Sequence, residues 1–298
     1  MQTFPFIQLE GKDYPTVIMG EDKFTGWFSK DKFETEEERA NAYRGCLETA
    51  YSLGVRGFSM SPHETLIKVL KRFKRENQDV ACISNHHWQT NYYVGKESLW
   101  EEKNLKRLAR SVADINGCQQ DHKWLKGNEE AFAKEDIKNI RLDEKEYSES
   151  VLRFKDFCDF ALVGNIGISA LAILEREDII KKEIKIVRKE GMIPLGMCEG
   201  GGALDVIEKL GVAGTWVWIN RHEAFPDLDT ALEKLKYANK PVTAYRVFQS
   251  PEGFDIAKSV NFIKDIPTIK TIVVGVENKE QAKETFSKLH DFWPQKRR

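Results

Sequence analysis

Four of the six histidines, His63, His86, His87 and His222, directly follow apolar runs, and Glu64, Glu199 and Glu223 stand at the same kind of position. Neutral imidazoles and carboxylates from separate segments are the donors that a borderline divalent ion (zinc, manganese or iron) takes. Side chains alternate along a strand, so only one member of each adjacent pair can face a common centre. The expected ligand set is therefore His63, His86, Glu199 and His222, which leaves Glu64 or Glu223 as a proton-transfer carboxylate. For His222 the parity runs through Trp216, Trp218 and Asn220, alternating with the branched Val217 and Ile219. A histidine after a strand also serves as a helix cap or surface group, and the spacing matches no named metal motif.

Other side chains at these ends suit recognition. Arg246 and Arg221 can grip a carboxylate or phosphate. Trp88 and Trp218 offer rings for a sugar or aryl group, although packing is their commoner role. Gly200-Gly201-Gly202 before Ala203 presents backbone N–H groups at a helix start, suited to an anion or simply to a tight turn.

The elements that must position these groups repeat. Gly191 to Glu223 is an apolar run ending in Cys198-Glu199-Gly200, a short helix, and a second run, Thr215 to Ile219, ending in Asn220-Arg221-His222-Glu223. Parallel strands of a βαβ unit place both polar ends on one face of the sheet. Further strands are expected at Tyr14 to Met19, Val55 to Met60, Asp79 to Ser84, Phe160 to Val163, Val242 to Val247 and Thr271 to Val274. Helices intervene, including a long one from Ser169 to Arg188. Thr35-Glu36-Glu37-Glu38 carries a capping-box pattern that opens another. Eight such strands predict an α/β fold, a closed (β/α)8 TIM barrel forming one domain over residues 1–298, with its chemistry at the strand C-termini. Residues 89–148, between the third and fourth strands, exceed an ordinary connection and predict an insertion or lid.

The 298 residues carry a formal net charge of −1, which gives no electrostatic case for nucleic acid or an anionic membrane. No run is long and apolar enough to span a bilayer, and the start lacks a signal-peptide pattern. Five scattered cysteines without a CxxC pair point to a reduced, cytoplasmic protein. A small-molecule substrate is expected as the partner, and homo-oligomer formation is left open.

The closing segment IPTIKTIVVGVENKEQAKETF resembles the last strand and helix of the aldo-keto reductases. SESVLRFKDFCDFALVGN, GMIPLGMCEGG, TAYRVFQSP and LETAYSLGVRGFSM are similar to other elements of that family in the same order. The resemblance implies its barrel, but the catalytic residues do not carry over. Ser59, Glu64, Asn85 and Gly164 fall where the family has Asp, Tyr, Lys and His, and they cannot supply its proton chemistry. For the cofactor, Tyr245 matches the tyrosine that stacks on nicotinamide. Gly275, Asn278, Gln281 and Glu284 fall in the adenosine-holding region, where acidic Glu277 disfavours NADP and leaves NAD allowed. The sequence thus supports a metal-assisted isomerase, lyase or hydrolase acting on a polar hydroxy-carbonyl or sugar-like compound. The alternatives are a divergent nicotinamide oxidoreductase and an inactive barrel used for binding.

Overall fold

Strands buried on both faces read as nearly continuous apolar runs, and eight of them pair in parallel here and close into a barrel. They are Val17–Gly20, Gly57–Met60, Ala81–Ser84, Phe160–Val163, Ile193–Cys198, Thr215–Trp218, Val242–Tyr245 and Ile269–Gly275. The computed structural model describes residues 2–27, 31–86, 91–116, 128–164, 168–198, 203–224, 227–249 and 254–293. Helices connect the strands, so the (β/α)8 TIM barrel expected from the sequence is the fold.

Alternation along each strand sorts the side chains into two sets. Ile18, Ile83, Phe160, Leu162, Leu195 and Trp216 fill the barrel interior. Their neighbours Val17, Met19, Cys82, Ala161, Val217 and Ile272 join the larger core beneath the helices. Gly57 lets the first two strands approach closely, because a Cβ there would lie 2.8 Å from Ile18 Cγ1 and 2.9 Å from Pro15 Cβ.

The first expected strand, Tyr14 to Met19, is in fact two. Lys12–Pro15 pairs antiparallel with Phe6–Leu9 in a hairpin, and the barrel strand starts only at Val17. Glu10 and Gly11, at φ 49° and 82°, form the two-residue turn that such hairpins favour. Thr16 separates the two strands, and its backbone N–H and hydroxyl both donate to the Pro5 carbonyl. The hairpin closes the N-terminal end of the barrel. Tyr14 and Leu9 enter the interior cluster, and Tyr14 meets the Phe160 ring edge-on at 4.9 Å. The Tyr14 hydroxyl lies 3.0 Å from Thr243 Oγ1 and accepts from Trp216 Nε1 at 2.8 Å.

Between the third and fourth strands, Tyr92–Val94 forms the centre of a small antiparallel sheet with Glu97–Ser98 and Ile140–Leu142. The helix Glu102–Asn116 accompanies it and packs on the helix Ile168–Ile173. A buried carboxylate ties this sheet to the barrel wall. Glu183 accepts from the hydroxyls of Tyr92 and Tyr147 and from the Gly164 backbone N–H at 2.7 Å. Burial pushes its pKa up to about 7 against those three hydrogen bonds. The single helix expected from Ser169 to Arg188 is broken into Ile168–Ile173 and Glu177–Lys189, with Glu175 at φ 58° between them. Arg176 follows the break. Its guanidinium reaches the Ile137 and Lys138 carbonyls of the added segment, a tertiary contact that a continuous helix would not permit.

The Tyr14 hydroxyl serves two buried partners, so Tyr14→Phe should cost about 1–3 kcal/mol in chemical denaturation by stranding the Trp216 donor. An unchanged denaturation midpoint would show that the hairpin does not hold the barrel end through this hydroxyl.

Candidate active site

The C-terminal ends of the strands form the opposite mouth. After the first strand, Glu21 is only 2% exposed, and its carboxylate is held from the second strand. Ser59 Oγ donates to one oxygen at 2.5 Å, and Ser61 Oγ donates to the other. Two hydroxyl donors compensate a carboxylate removed from water. Asp22 follows directly. The residue keeps contact with solvent, and partial loss of hydration comes first among the causes that push its pKa up to about 7. The Glu21 charge pushes the same way, while Arg246 and then Lys23 pull it back. A group titrating near neutrality in a cleft is suited to giving and taking a proton.

Arg246 stands across the mouth, after the seventh strand. Its φ of 58° breaks the strand alternation and swings the guanidinium over Trp218, 4.7 Å from the ring centroid. Trp218 and Asn220 share the inward parity of Trp216, while Val217 and Ile219 face the helices. Asn220 Oδ1 accepts from the His222 backbone N–H at 2.9 Å, whereas its Nδ2 has no partner among the described residues. Trp218 Nε1 and Asn85 Oδ1 are likewise buried without a partner among them.

The described members of the expected metal set, His63, His86 and His222, have different surroundings. His86 has the parity of Cys82 and Ser84, so it faces outward. It lies 3.3 Å from Ser84 Oγ and meets the Tyr147 ring edge-on at 5.0 Å. Asn85, one residue earlier, takes the inward position. His63 is the N-cap residue of the helix Glu64–Glu76 and lies beside Trp27, with ring centroids 6.2 Å apart. Burial, and then Arg39, lower its pKa. His222 is exposed because the chain reverses just before it. Ile219 bridges Ala224, and the Asn220 N–H donates to the Glu223 carbonyl, which ends the parity that was to carry His222 inward. Among the described residues no three His, Cys, Asp or Glu side chains converge on a common centre. Glu199, Asn165, His87, Trp88 and Gly200 to Gly202 lie outside the described residues.

Both expected proton-transfer carboxylates, Glu64 and Glu223, are exposed. Glu64 opens its helix from the exposed side and pairs with Arg153. Glu223 is exposed in the tight turn. Glu21 and Asp22 form a further carboxylate pair, directly after the first strand. Their signal was present as two acids directly after an apolar run, with serines at alternate positions of the next strand.

No family model and no curated protein matches the chain. Among solved structures, an assigned aldo-keto reductase of Pseudomonas aeruginosa superposes with a TM-score of 0.56 at 14% identity, over 95% of each chain. A glycerol dehydrogenase of Gluconobacter oxydans superposes with a TM-score of 0.52 at 11% identity, over 97% of this chain and 96% of the other. The chain shares the (β/α)8 barrel fold of these structures.

At these identities the likeness is one of fold. At the positions of the aldo-keto reductase tetrad, Ser59 is bonded to Glu21, Glu64 is paired on the surface, and Gly164 binds Glu183 through its N–H. The cofactor positions are also put to other uses. Asn278 caps the last helix by accepting from the Gln281 N–H at 2.8 Å, and Gln281 Oε1 accepts from the Glu277 N–H at 2.7 Å. This reciprocal cap is a sufficient structural reason for both residues. Glu277 pairs with Lys23 at 2.9 Å and Glu284 with Lys288 at 2.6 Å. Tyr245 still packs against the interior cluster, and its hydroxyl donates to the Cys198 carbonyl at 3.4 Å. Gly275 ends the eighth strand beside Lys23, whose Cγ would lie 3.9 Å from an added Cβ.

The charges around Asp22 give opposite signs for two substitutions. Glu21→Gln removes a negative neighbour and should lower the Asp22 pKa, while Arg246→Ala removes a positive one and should raise it. Carboxyl-carbon NMR titration reads both. Asp22 titrating alike in all three proteins would exclude the coupling.

Proposed function

We propose that this protein moves a proton on a small, polar hydroxy-carbonyl or sugar-like compound bound in the barrel mouth, in an isomerase-type reaction. The observation that carries the reading is the Glu21–Asp22 pair: one carboxylate locked by Ser59 and Ser61, the other open to the mouth.

In this scheme Asp22, as carboxylate, takes the proton from the carbon next to the substrate carbonyl. The C–H electron pair moves into the new carbon–carbon double bond, and the carbonyl pair moves to oxygen, giving an enediolate. Return of the proton to the neighbouring carbon, while the hydroxyl proton passes from one oxygen to the other and the second oxygen becomes the carbonyl, completes an isomerisation. Delivery of a proton by water to the other face of the original carbon, with the carbonyl restored, completes an epimerisation. Glu21 raises the basicity of Asp22 through its fixed charge, and Arg246 offsets the negative charge that develops on oxygen. General acid–base catalysis of this kind contributes about 10²–10⁴-fold. The scheme itself uses no metal.

The test is exchange of substrate carbon-bound hydrogen with deuterium oxide, followed by proton NMR across a panel of hydroxyaldehydes, hydroxyketones and sugar acids. One panel member should exchange, and Asp22→Asn should slow it by about 10²-fold or more. Exchange that is unaffected in Asp22→Asn would overturn the assignment of the base. No exchange with any member, combined with tight binding of NAD, would replace the reading with nicotinamide chemistry.

A further inference from the structure

The polar atoms left without partners at the mouth are not distributed at random. On the sixth and seventh strands they are donors: Asn220 Nδ2 and Trp218 Nε1, beside the Arg246 guanidinium. After the third strand it is an acceptor, Asn85 Oδ1, and the exposed Asp22 carboxyl follows the first strand. Asn220 is 1% exposed and Asn85 is 7% exposed. Parity directs both inward, since they continue the inward series of Trp216 and Ile83. A buried donor or acceptor left unmade costs about 1–3 kcal/mol, so such atoms in a mouth are explained by a ligand that completes them.

We propose that the mouth binds a hydroxy acid in one orientation, with its carboxylate on Arg246, Asn220 and Trp218 and its hydroxyls towards Asn85 and Asp22. This deepens the proton-transfer reading and rests on it for the role of Asp22, but the binding site stands on the unpartnered atoms alone. A carboxylate fits better than a phosphate. One guanidinium and two neutral donors balance a single negative charge, and Glu21 and Asp22 nearby oppose a second. Lys23, the next cation, is already paired with Glu277 at 2.9 Å. The planar guanidinium also matches a carboxylate in two parallel hydrogen bonds. The left-handed backbone of Arg246 is the strain that buys this aim.

Calorimetric titration of the full chain with D-gluconate, D-sorbitol and sorbitol phosphate tests the orientation without relying on turnover. D-gluconate should bind at least about tenfold more tightly than D-sorbitol, a difference that Arg246→Ala should abolish. Arg246→Lys, which keeps the charge but not the fork, should retain only part of it. Asn85→Ala should weaken both D-gluconate and D-sorbitol by a similar factor. Equal binding of D-gluconate and D-sorbitol by the unaltered protein would overturn the proposal, as would a difference that survives Arg246→Ala. Preference for sorbitol phosphate would replace the carboxylate with a phosphate. If neither D-gluconate nor D-glycerate binds at about 10 mM, the hydroxy-acid site is wrong. D-gluconate that binds as expected while no panel compound exchanges deuterium would leave this site standing and remove the proton-transfer reading instead. Should Arg246→Ala fail to fold, the three ligands on the unaltered protein still decide the matter.

Discussion

A carboxylate withdrawn from water must be held by donors or lose its charge, and the arrangement of the mouth follows from how Glu21 meets that demand. Its two oxygens take the hydroxyls of Ser59 and Ser61, which share one face of the second strand. The contact needs the first two strands close together, and Gly57 provides the closeness. With Glu21 fixed, Asp22 is left partly dehydrated beside a charge that it cannot escape. Its raised pKa is a consequence of that neighbourhood, and Arg246 opposite keeps the rise in bounds.

The two ends of the barrel divide the work. At the N-terminal end the hairpin closes the interior with Tyr14, whose hydroxyl is bonded to both Thr243 and Trp216. At the C-terminal end Asn85, Trp218 and Asn220 keep buried polar atoms without partners among the described residues. Chemistry at the C-terminal end and stability at the other is the usual division in this fold. The Glu183 cluster serves a third purpose, since it holds the small sheet to the wall through Tyr92 and lies on the outward side of the fourth strand.

Much of the frame was legible in the sequence, because doubly buried strands announce themselves as apolar runs with polar residues after them. Arg246 and Trp218 could be placed at strand ends for the same reason. The histidines were misplaced for specific local reasons. His86 and Asn85 are neighbours, and a one-residue error of parity exchanges inside for outside. His222 sits in a turn built by the Asn220 side chain, where strand alternation no longer applies. Glu64 is the first residue of a helix, and its direction follows that helix. The break at Glu175 is followed by Arg176, which meets carbonyls about forty positions earlier in the chain. No local pattern encodes such a contact.

A crystal structure of the protein with a bound hydroxy acid tests the central claim most directly. The account predicts the ligand in the mouth, its carboxylate on Arg246 and its hydroxyl-bearing carbon about 3–3.5 Å from the Asp22 carboxyl. A ligand seated away from Asp22 and Arg246, or one coordinated by an ion held on His63 or His222, would contradict it.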